Sequence, residues 1–83
     1  MRCVVYRSDK RPGTYVYTIA GEGLERVPPA LRQSLAPLVE ALSFELTPDR
    51  RLARADAAVV LANLCSAGFH IQFPPSEWER REA

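Results

Sequence analysis

A single histidine, His70, stands in the segment FHIQF. Its imidazole is the one side chain here whose ordinary pKa suits proton transfer near neutral pH. Strand alternation projects His70 and Gln72 from one face and Phe69, Ile71 and Phe73 from the other. A lone strand histidine with no identifiable partner is more simply an exposed or hydrogen-bonded side chain. A second cluster lies near the start: Arg2, Tyr6, Arg7, Ser8, Lys10, Arg11, Thr14, Tyr15 and Tyr17. Residues 2–11 hold four basic side chains and one acidic, a local charge of +3. Basic groups beside tyrosines can hold a nucleic-acid backbone and stack a base. The plainer account is a solvated hairpin tip whose tyrosines pack the core. Arg7 is expected to leave its strand end, where it can pair with a carboxylate such as Asp56 or meet a phosphate.

Other chemistries find less support. Glu45, Asp49 and Asp56 are close in sequence, as carboxylates that bind Mg²⁺ or share a proton must be. Arg50, Arg51 and Arg54 are interleaved with them, and charge compensation around a helix start accounts for the group. Cys3 and Cys65 lie in different apolar segments and read as buried small hydrophobes. Two isolated cysteines and one histidine do not supply the four ligands of structural zinc. No glycine-rich phosphate loop is present, and no serine sits in a nucleophile elbow. The expectation is therefore no catalytic residue, no metal and no cofactor.

These residues need elements to position them. Residues 2–7 (RCVVYR) and 14–19 (TYVYTI) are rich in β-branched and aromatic side chains, and the polar SDKRPG between them reads as a hairpin with a basic tip. Alternation places Cys3, Val5 and Arg7 on one face, Val4 and Tyr6 on the other, and groups Tyr15, Tyr17 and Ile19. One face is expected to be covered and the other partly shielded. After the connector GEGLERVPP, Pro28 or Pro29 suits the first turn of a short helix over 30–35 that stops near Pro37. Residues 41–46 (ALSFEL) alternate as a strand, with Leu42, Phe44 and Leu46 on one side.

The clearest helix spans 54–67, where Ala57, Val60, Leu61, Leu64 and Cys65 form one apolar stripe of helical period. Asp56 suits its start. Gly68 suits its C′ position, with Phe69 folding back onto Leu64. The last strand, 69–73, ends at Pro74 and Pro75. The order β-β-α-β-α-β predicts an α+β fold, a four-stranded mainly antiparallel sheet with two helices.

The chain has 83 residues and a net charge of +1, with 47% hydrophobic and 25% charged residues. That is room for one small domain, expected over 1–75, with a charged, frayed tail at 76–83 anchored only by Trp78. The composition is that of a globular protein and excludes a highly basic nucleic-acid coat. No apolar run is long enough for a bilayer span, and no secretory signal precedes the first strand, so a cytoplasmic location is expected. Of the eleven basic residues only Lys10 is a lysine. The arginines are spread along the chain, which fits a GC-rich genome better than a phosphate site.

CVVYRSDKRPGTYVY at the start, LARAD at 52–56 and GFHIQFPP at 68–75 together resemble the YcgL domain family, small bacterial proteins found mostly in proteobacteria. The likeness covers nearly the whole chain. It departs from the family pattern after the first helix, where Ser34, Leu35, Ala36 and Pro37 replace an aromatic-glycine pair. The resemblance implies a compact α/β fold of unusual topology and carries no established activity, cofactor or catalytic residue. It also implies a gene context beside an exoribonuclease in some proteobacteria.

The expected function is thus a small binding or adaptor domain contacting RNA or an RNA-processing partner through the basic, tyrosine-bearing hairpin. The candidate binding residues are Tyr6, Arg7, Ser8, Lys10, Arg11, Tyr15, His70 and Gln72. A protein–protein or homodimer module joined through a sheet edge is the alternative. A small ligand-binding protein or enzyme using His70, Gln72, Arg7 and Tyr6 on one face is the third reading, and it ranks last because so small a domain has little room for a deep site.

Overall fold

A computed structural model describes residues 1–52 and 56–74. Arg54, with which the second helix was expected to open, and the tail with Trp78 lie outside the described residues. The elements follow the expected order: β1 (Arg2–Ser8), β2 (Tyr15–Ile19), α1 (Pro29–Leu35), β3 (Leu38–Glu45), α2 (Ala57–Ser66) and β4 (Phe69–Gln72). The four strands form one sheet in the order β3-β1-β2-β4, and every neighbouring pair is antiparallel.

Register divides the side chains between two cores. Cys3, Val5 and Tyr17 pack with Phe44 and Leu46 beneath Ala57, Val60 and Leu64 of α2. On the opposite face Val16 packs with Val27 and Leu35, joined by Tyr6, Leu31, Leu38, Phe69 and Ile71. The sheet therefore carries α2 on one face and α1 on the other, rather than one covered and one partly shielded face. Each apolar stripe then needs only one narrow helix to bury it. Phe69 joins the α1-side core, so it cannot fold back on Leu64, which belongs to the other.

The helices begin and end for local reasons. Pro28 caps α1 and Pro29 opens it, where a missing N–H costs little. The Asp56 carboxylate accepts from the Ala58 N–H at 2.9 Å and caps α2. Gly68 at φ 88° closes α2, its N–H donating to the Leu64 carbonyl at 3.0 Å. A Cβ at that position would run into the stem of Arg26. In the α2 stripe Ala57, Val60 and Leu64 are buried and Leu61 half-buried, but Cys65 is exposed, so only Cys3 is the buried thiol expected of both.

β3 starts three residues before the strand expected at 41–46. A bulge explains the difference. Val5 pairs with Leu42 and Tyr6 with Glu40, which leaves Ala41 as the extra residue. The bulge breaks the two-residue alternation, so the first part of the strand has no readable period. Phe44 and Leu46 are buried as expected, whereas Leu42 on the same side is 53% exposed.

Ser8 joins the hairpin tip to α1. Its hydroxyl donates to the Leu35 carbonyl at 2.6 Å and accepts from the Arg11 N–H at 3.0 Å. The side chain is buried, and its backbone N–H donates to the Thr14 carbonyl at 3.0 Å. Ser8→Ala leaves both partners short of a hydrogen bond. It should lower the unfolding free energy by about 1–3 kcal/mol, measured by urea denaturation. A loss under about 0.5 kcal/mol, the scale of a surface substitution, contradicts this role.

Candidate functional site

α2 makes its main strand contacts with β2 and β4. On the same face Cys3, Val5 and Phe44 are buried, while Leu42 at the β3 edge is 53% exposed. Here an open groove of about 660 Å³ runs between the sheet and residues 50–52. Val5, Tyr15, Tyr17, Leu42 and Phe44 form its floor, Arg50, Arg51 and Leu52 one wall, and Gly13, Gln72 and Pro74 its far end.

Its polar groups are positioned by packing. The Arg50 guanidinium lies 4.3 Å from the centre of the Phe44 ring, a cation–π contact that holds its plane over the floor. A long hydrogen bond of 3.4 Å from its Nη1 to the Glu45 carbonyl adds to that. Neither Arg50 nor Arg51 forms a salt bridge among the described residues. The nearby carboxylates have other partners. Asp49 accepts from the Thr47 hydroxyl at 2.7 Å, which holds its pKa below the usual value. Asp56 caps α2, and Glu45 accepts from the Met1 ammonium at 2.6 Å, which lowers its pKa. The compensation of Arg50 and Arg51 by Asp49 and Asp56 expected from their interleaving is therefore not found. Among the described residues no three of His, Cys, Asp and Glu come together as a metal site would require.

The predicted binding residues are dispersed. Tyr15 and Gln72 face each other across β2 and β4, and both line the groove. Tyr17 sits beside them, buried, and its hydroxyl donates to the Gln72 Oε1 at 3.2 Å. Arg7 and His70 lie on this face by register but do not line the groove. Arg7 meets Asp9 at 3.7 Å rather than Asp56. Tyr6 is on the opposite face, packed in the α1 core, so it cannot share a face with His70, Gln72 and Arg7. Lys10 and Arg11 are exposed at the hairpin tip, with Arg11 lining a smaller hollow beside α1. Ser8 is buried and spends its hydroxyl within the fold.

Phe44, Arg50 and Arg51 complete the groove, and the sequence reading did not select them. The signal available was an Arg-Arg pair directly after the turn Thr47-Pro48-Asp49, two guanidiniums beside a loop whose acid is already bound by its own threonine.

His70 has partners the sequence could not supply. Its Nδ1 lies 2.8 Å from Asn63 Nδ2 of α2, and its ring stands edge-on to Tyr17 with centroids 5.6 Å apart. The amide N–H can donate to this nitrogen in the neutral tautomer that carries its proton on Nε2. Burial lowers the His70 pKa.

The YcgL domain model matches residues 3–75. The chain belongs to the YcgL domain family. A YcgL domain-containing protein of Pseudomonas fluorescens is 46% identical over 77 residues, covering 93% of this chain and 79% of the relative. One from Pseudomonas syringae pv. syringae is 45% identical over 75 residues, covering 90% and 77%. One from Pseudomonas putida is 44% identical over 77 residues, covering 93% and 79%. These names give the domain and state no ligand or activity. Among the described residues, no helix of this YcgL domain is long and apolar enough to cross a membrane.

The lowered His70 pKa sets a direction for stability. The unfolded chain takes up this proton more readily than the folded one, so stability falls as pH drops through the unfolded histidine value of about 6.5. The loss is complete below the folded value. The thermal midpoint should fall between about pH 7.5 and 5.5, and His70→Gln should flatten that slope. An unchanged slope in the variant assigns the titration to another group.

Proposed function

We propose that this YcgL domain is a cytoplasmic binding module for single-stranded RNA, and that the groove beside α2 is where the RNA lies. The Arg50–Phe44 stack carries this reading. A guanidinium already held over a ring can be covered in turn by a base, and guanidinium planes and aromatic rings are the surfaces on which unpaired bases stack. Tyr15 offers a second ring, and Arg51 a charge for phosphate. Lys10 and Arg11 extend the positive surface along the hairpin, so the basic residues of the tip serve the backbone rather than the bases. Binding rather than catalysis fits an open groove whose charged side chains, among the described residues, are two arginines.

A second reading, a partner protein strand on the outer edge of β3, draws on the exposure of Val39 and Leu42 there. Fluorescence anisotropy with a short labelled RNA strand separates the two. Saturable binding should weaken with salt, Arg51→Gln should lower the slope of log K on log salt by about 0.7, and Arg50→Gln should weaken binding with a smaller change of slope. Replacing Lys10 and Arg11 together should also weaken binding and flatten the slope. Tyr15→Ala should cost about tenfold in affinity, its fold checked by circular dichroism. Absence of binding at low salt, where phosphate contacts are strongest, rules out the RNA reading and leaves the protein partner.

A further inference from the structure

We infer that the groove discriminates between bases, favouring uracil over cytosine, and that Gln72 sets the preference. This rests on the RNA reading above. Among the described residues the polar side chains lining the groove are those of Tyr15, Tyr17, Arg50, Arg51 and Gln72, with no carboxylate among them. The arginines only donate. Gln72 carries both an acceptor and a donor, but Tyr17 decides which of them remains for a ligand. The Tyr17 hydroxyl donates to Oε1 at 3.2 Å, which turns the amide so that its oxygen is engaged and its NH₂ is left to donate. Tyr17 cannot easily move. It is buried, its ring is held edge-on by His70, and its strand lies between β1 and β4.

A base whose position-4 group meets Gln72 at the far end of the groove therefore finds a donor there. Uracil offers the carbonyl acceptor O4 at the place where cytosine carries the N4 amino donor. The two pyrimidines are alike in size and stacking surface and differ also at N3, a donor in uracil and an acceptor in cytosine; the position-4 group is the one that Gln72 would read. Cytosine would set an amino group against the Gln72 NH₂ and leave both donors unpaired.

The test compares oligouridine and oligocytidine of equal length on the full chain by anisotropy. The parent should bind oligouridine about tenfold more tightly. Gln72→Glu replaces the NH₂ donor with an acceptor; its added charge weakens both ligands, but the uridine-to-cytidine ratio should fall below one. Tyr17→Phe removes the hydroxyl that orients the amide, and should bring the ratio towards one while the salt dependence set by the arginines stays. Equal binding of the two strands by the parent, or a ratio that neither variant changes, overturns this inference and leaves RNA binding standing. Failure of both strands to bind at low salt overturns the RNA reading itself.

Discussion

β1 and β2 are the constraint on which the rest depends, because they are buried on both faces. An interior strand with one helix on each side must place an acceptable side chain at every position. Cys3, Val5 and Tyr17 supply one core, and Tyr6 and Val16 the other. A shift of one residue would exchange the two sets. Ser8 marks the end of that pattern: a polar residue is buried there because the Leu35 carbonyl and the Arg11 N–H satisfy its hydroxyl. The hairpin tip, the end of α1 and the start of β3 meet around that residue, reinforced by the Asp9 N–H donating to the Pro37 carbonyl. The groove is the remainder of this arrangement. One ten-residue helix sits mainly over β2 and β4 on its face and leaves the outer part of β3 open at Leu42.

Much of the fold was legible in local signals. The alternation in β1, β2 and β4, the helical stripe of α2, and the punctuation by Pro28, Pro29 and Gly68 each have a local physical cause that the sequence displays. The relative placement of the helices has none. Both stripes are apolar, both sheet faces are apolar, and nothing in either pattern says which meets which. The beginning of β3 was hidden for a different reason, since the extra residue at Ala41 interrupts the period by which strands are recognised.

The site was legible only in part. Tyr15 and Gln72 stand out by type and alternation, but their meeting across β2 and β4 is a matter of register. Tyr6 and Tyr15 look equivalent in a list of tyrosines and lie on opposite faces. Arg50 and Arg51 were read with the acids beside them in sequence, whereas side-chain hydroxyls, a helix end and an ammonium engage those acids in space. Electrostatic neutrality along the chain is thus a poor guide to neutrality at the surface. The net charge of +1 does not reveal a groove that, among the described residues, is lined by two guanidiniums and no carboxylate.

The bulge at Ala41 has a colloidal consequence. β3 is an edge strand, and an unbroken edge of eight residues with exposed Val39 and Leu42 would be a template for fibril growth. The extra residue interrupts that rail between 38–40 and 42–45, so copies of the chain cannot stack along it in one unbroken register. A small domain can therefore keep apolar side chains in the open beside its groove without also offering itself as a seed for aggregation.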